Sequence, residues 1–164
     1  MTSERYNRQV ILDGFGEASQ LLLTKASVLV IGAGGLGCPA VQYLAAAGIG
    51  HLGIVDDDTI SLSNLHRQVL FSTEDVGKLK VDVARERLLK MNSEIEVISH
   101  PIRLQKSNIL DIFRSYDFIL DGTDNFATRY LINDACALLG KPLIFAAVSA
   151  FEGQLAIFNV PDEK

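Results

Sequence analysis

Two cysteines and three histidines are all that this 164-residue chain offers for a soft-ligand cluster. Cys38 and Cys136 have no second Cys or His at metal-ligand spacing, and His51, His66 and His100 are scattered. A histidine-based metal centre is therefore not expected, and both thiols, set in apolar helix-like patterns, should be reduced and buried or half-buried. No apolar run approaches the roughly 20 residues that span a bilayer. The N-terminal stretch from Met1 to Arg8 lacks the apolar core of a secretory signal, so a cytoplasmic location is expected. Positive charge is also scarce. With 15 Lys and Arg against 20 Asp and Glu the net charge is −5, which removes any general attraction to nucleic acid or to an anionic membrane. Repeats and low-complexity segments are missing. What remains is 48% hydrophobic residues, enough for one domain with its own core.

The most informative stretch that is present runs from Val28 to Gly37: four apolar residues, three of them β-branched, lead into Gly32-Ala33-Gly34-Gly35-Leu36-Gly37. A helix-like pattern from Cys38 to Ala47 follows, with Pro39 in its first turn and Gly48 as its stop. Strand, glycine-rich turn and helix, in that order, make a phosphate-binding turn, because the backbone can approach the anion closely and the helix N-terminus offers free N–H groups. Asp56 ends the next strand-like run, His51 to Val55, about 20 residues beyond the glycines, where a ribose-binding carboxylate belongs. This motif alone leaves a redox dinucleotide and ATP equally open.

Further along, the pattern predicts a helix from Gly77 to Met91, a strand from Glu94 to Ser99, a short helix from Ser107 to Phe113 and a strand from Asp117 to Leu120. A helix from Ala127 to Leu139 and strands from Leu143 to Val148 and Leu155 to Val160 complete the series. Alternating strands and helices imply an α/β fold, a Rossmann-like doubly wound, mostly parallel sheet. Two short N-terminal helices, Arg5 to Leu12 and Glu17 to Lys25, precede it.

In such a sheet, ligands bind beyond the C-terminal strand ends. The polar segments there are Asp56-Asp57-Asp58, Ser61 to Gln68, and Asp121 to Asn125. Arg67 and Lys80 are candidates to offset phosphate charge and Asp124 to hold a metal, a set that suits ATP better than a nicotinamide. Each has a plainer alternative. Lys80 is equally a solvated surface lysine, Arg67 a partner for Asp56-Asp57-Asp58, Asp124 a helix cap and Asn64 a turn former.

Six motifs occur in order: Arg5-Tyr6-Asn7-Arg8-Gln9, Gly32-x-Gly34-Gly35-x-Gly37, Asp56-x-Asp58, Ser61-x-Ser63-Asn64-Leu65-x-Arg67-Gln68, Val76-Gly77-x-x-Lys80 and Asp121-x-Thr123-Asp124-Asn125. Together they resemble the adenylyltransferases that activate ubiquitin-like sulfur-carrier proteins in molybdopterin and thiamine biosynthesis, relatives of the ubiquitin-activating enzymes. The resemblance covers Arg5 to about Leu155. It implies that residues 1–164 form a single adenylation domain that uses ATP and Mg²⁺ on the C-terminal glycine carboxylate of a small Gly-Gly-ended carrier. It assigns Gly32, Gly34, Gly35 and Gly37 to the nucleotide turn and Asp56 to the ribose. Asn64, Arg67 and Lys80 go to the phosphates, Asp124 to magnesium, and Arg8 to the partner's site in a homodimer. Family members continue further, with two CxxC pairs for zinc and a reactive cysteine. Neither feature occurs here, so this is expected to be a shortened form, with zinc confined to the segment it lacks. The other classes left standing are an NAD-dependent oxidoreductase, a relative activating a modified tRNA adenosine, and a non-catalytic nucleotide-binding module.

Overall fold

The computed structural model describes residues 4–160; the first three residues of the N-terminal stretch and residues 161–164 lie outside it. Six strands form one sheet: β1 (Ser27–Ile31), β2 (His51–Val55), β3 (Glu96–His100), β4 (Phe118–Asp121), β5 (Leu143–Ser149) and β6 (Glu152–Phe158). Their spatial order is β3-β2-β1-β4-β5-β6, with the first five parallel and β6 antiparallel to β5. The chain therefore reverses direction across the sheet between β1 and β4, the position where a ligand crevice opens in this architecture.

The alternation within β1 shows why the sheet is covered on both faces. Val28 and Val30 enter one core with Val41, Leu52, Ile54, Val81 and Leu88, while Leu29 and Ile31 enter another with Phe113, Ile119 and Ile132. Helices α3 (Gly37–Ala47) and α4 (Lys80–Met91) supply the first layer, α5 (Ile109–Arg114) and α6 (Phe126–Leu139) the second. At the N-terminus a 3₁₀ turn (Glu4–Tyr6) and a single helical turn, α1 (Asn7–Val10), replace the first expected helix, and α2 (Gly16–Lys25) follows. Tyr6 anchors this segment: it is buried, and its hydroxyl accepts a hydrogen bond from Asn92 Nδ2 at 2.8 Å.

Several boundaries differ from the sequence expectation, and three of the differences have a plain reason. The helix expected from Gly77 begins at Lys80, because residues 76–79 are held against 59–60. Gly77 N–H donates to Ile60 O, Ile60 N–H donates to Lys78 O, and Thr59 bridges to Leu79. β3 starts two residues late, since Asn92 turns the chain after α4 and accepts the Glu94 N–H on its side chain. β6 starts at Glu152 rather than Leu155. Its first residues are polar and exposed on an edge strand, so hydrophobicity could not mark them. Among the described residues no helix is long and apolar enough to cross a membrane.

Candidate active site

At the reversal between β1 and β4 lies a cleft of about 730 Å³. Its floor is the glycine turn. Gly32 adopts φ +91°, a conformation that favours glycine, and donates its N–H to Val55 O at 2.8 Å. Gly34 and Gly35 also line the cleft, but Gly37 does not. It sits buried behind the turn, where a Cβ would stand 1.7 Å from Gly32 O, so its part is to let α3 press against the turn.

Asp56 lies beside this turn at the end of β2. Its Oδ2 accepts the Ala33 N–H at 2.7 Å and its Oδ1 the Asp58 N–H at 2.8 Å. Burial pushes its carboxyl pKa up, against the opposing pull of those two N–H groups and of Lys80. Lys80, the first residue of α4, is no solvated surface lysine. It is 4% exposed, and its Nζ lies 2.8 Å from Asp58 Oδ2 and 3.8 Å from Asp56 Oδ1.

The 3₁₀ turn Leu62–Asn64 brings the second wall forward. Arg67 lies along the turn, its Cδ 3.3 Å from where a Gly35 Cβ would be. Its guanidinium donates to Asn64 Oδ1 and contacts His66 Nε2, each at 3.1 Å, and among the described residues it pairs with none of Asp56, Asp57 and Asp58. Gln68, also on the cleft, is buried with an unpartnered Oε1. A third wall follows β4. Asp121 Oδ1 accepts both the N–H and the hydroxyl of Thr123, and burial raises its carboxyl pKa. Asn125, not Asp124, caps α6, accepting the Thr128 N–H at 2.9 Å. Asp124 is left exposed on the cleft with no hydrogen bond or ion pair among the described residues.

The cleft thus gathers Gly32, Gly34, Gly35, Asp56, Asn64, Arg67, Lys80 and Asp124. Arg8 lies elsewhere, exposed on α1. Sequence reasoning missed Arg129, which also lines the cleft: its Nε and Nη2 donate to Thr123 O, and its guanidinium lies over the rings of Phe126 and Phe145. Its position one helical turn after the Asn125 cap was the available signal.

Residues 6–164 match the model of the ThiF family. The chain belongs to that family. It is 53% identical over 158 residues to a sulfur carrier protein adenylyltransferase of Thermus thermophilus, covering 96% of this chain and 58% of that protein. It is 54% identical over 155 residues to the adenylyltransferase and sulfurtransferase MOCS3 of Culex quinquefasciatus, covering 94% of this chain and 35% of that one. Among solved structures, E. coli MccB with AMPCPP and MccA superposes with a TM-score of 0.80 at 34% identity, over 89% of this chain and 45% of MccB. This ThiF-family chain therefore spans between about a third and three-fifths of the length of these relatives.

Proposed function

We propose that the cleft binds ATP and that the protein adenylylates the C-terminal glycine carboxylate of a small ubiquitin-like sulfur-carrier protein. The observation that carries this reading is the junction, in one cleft, of the glycine turn and Asp56 with Arg67, Lys80 and Asp124, which makes no ion pair among the described residues. Relatives named for this activity, and the structure of E. coli MccB with ATP, 36% identical over 78% of this chain, support it. An NAD-dependent oxidoreductase would give Arg67, Lys80 and Asp124 no task.

In the reaction the carrier carboxylate attacks the α-phosphorus, the bond to the bridging oxygen breaks, and pyrophosphate leaves with that electron pair. The carboxylate is already ionised, so no side-chain base is required. Catalysis rests on positioning and on the charge of Arg67 and Lys80 facing the departing pyrophosphate. Asp124 suits Mg²⁺, since it offers a carboxylate with no ion pair among the described residues to a hard, oxygen-preferring cation that shields phosphate charge when bound. On the same reading the protein acts as a homodimer in which Arg8, exposed on α1, reaches the partner's cleft. Two buried, free thiols, Cys38 and Cys136, suit a reducing compartment such as the cytoplasm.

The test is pyrophosphate–ATP exchange with a Gly-Gly-ended β-grasp carrier. Exchange that depends on the carrier and on Mg²⁺ is expected. Tight NAD binding without ATP binding would overturn the reading.

A further inference from the structure

We propose that Asp58 is a resident counter-ion for Lys80 which the phosphates displace, so that the cleft takes up its anion by exchange. This rests on the reading of the cleft as an ATP site. A buried ammonium is costly unless paired. Here the pairing is done by two carboxylates of very different freedom. Asp56, with a side chain 10% exposed, has both oxygens engaged by the N–H groups of Ala33 and Asp58. Asp58 is held only through its backbone, whose N–H donates to Asp56 and whose carbonyl accepts the Lys80 N–H at 3.1 Å. Its side chain is 69% exposed, and its hydrogen bond to Lys80 Nζ reaches across the cleft wall.

One rotation about the Asp58 side-chain bonds therefore frees Lys80 without moving any backbone. A phosphate oxygen takes over the ammonium, and the carboxylate turns to water. When pyrophosphate departs, Asp58 recaptures Lys80. Two consequences follow: the empty protein keeps its buried charge paired, and pyrophosphate is held less tightly than an unpaired lysine would hold it.

Isothermal calorimetry with ATP and with pyrophosphate, on the wild type, Asp58→Asn and Asp57→Asn, tests this. Asp57 is an exposed neighbour on the same cleft that does not touch Lys80, so it controls for the loss of one negative charge. Asp58→Asn should bind both ligands roughly three- to tenfold tighter, as expected for removing a half-exposed competing ion pair, with Asp57→Asn changing affinity less than about twofold. Thermal unfolding should show a lower Tm for ligand-free Asp58→Asn, and the gap to wild type should narrow at saturating ATP. Asp58→Ser repeats the measurement if the Asn variant is too unstable. Affinity unchanged or weakened in Asp58→Asn, or an equal gain in Asp57→Asn, overturns the counter-ion role. A wild type that binds no ATP overturns the parent reading and this proposal with it.

Discussion

The inner wall of the cleft and its outer side, the second and third walls, are built on opposite principles. On the inner wall Lys80 is buried and Asp56 mostly so, and Ala33, Asp58 and each other meet their charges. On the outer side, Arg67 and Asp124 are exposed; Arg67 holds Asn64 and His66 rather than a carboxylate, and Asp124 holds no partner among the described residues. Burial is the cause of the difference. A charge withdrawn from water must be paired to be tolerated, so the inner wall is pre-organised and also supports the fold. Exposed charges need no such pairing and are free to meet a ligand. The comparison teaches that residues proposed for one ligand come with unequal structural consequences.

The largest expected effect breaks the inner wall. Lys80→Met keeps most of the side-chain volume but leaves Asp56 and Asp58 facing each other without a cation. Pyrophosphate exchange should fall on the order of 10³-fold, and the Tm of the ligand-free protein should fall with it. Calorimetric unfolding that leaves the Tm unchanged would mean that the buried charge contributes nothing to the fold.

Arg67→Ala strikes the outer wall. Exchange should drop about 10²-fold, the usual scale for losing one charge-stabilising group, while the Tm stays within about a degree of wild type. A clear loss of stability would erase the contrast between the walls.

The smallest effect sharpens the comparison by perturbing the segment that joins the Arg67 wall to α4, without entering the cleft. Asp75 is buried and held by Ser72, Lys78 and Arg87, clamping residues 72–78 to α4. Burial pushes its carboxyl up, but hydrogen bonds from Ser72 and Lys78, with the Arg87 charge, pull it down from 3.8 to about 2. Its folded value lies below the unfolded one, so the stabilisation is complete above about 3.8 and is lost as the pH falls towards 2. Asp75→Asn should therefore cost roughly 1–2 kcal/mol at neutral pH, with the deficit shrinking between pH 4 and 2. Urea unfolding at several pH values measures this, and ATP affinity should not change.

Much of this molecule was legible before folding. Five of the strands were bounded within a residue or two because apolar runs such as Val28 to Ile31 and Leu52 to Val55 must be covered on both faces. Of the site residues carried by motifs, from Gly32 to Asp124, all but Gly37 meet in one cleft, since most of these motifs lie beyond strand ends. Where the reading fell short, a partner distant in sequence decided the matter. Residues 76–79 look helical by composition but bond to 59–60 instead. Lys80 looks exposed by spacing, yet Asp58, 22 residues away, draws it inward. Asp124 and Asn125 are both good caps, and only the backbone entering α6 selects Asn125.

The chain's own pattern determined the order of its elements, the glycine turn and the chemical kinds gathered beyond the strands, because these depend on periodicity and on local backbone freedom. Tertiary structure alone decided that β1 lies beside β4, that Lys80 is buried against two carboxylates, and that Arg129 enters the cleft over two aromatic rings. Periodicity reports which face of an element is apolar. It cannot report which element will cover that face, and the environment of each charge follows from that choice.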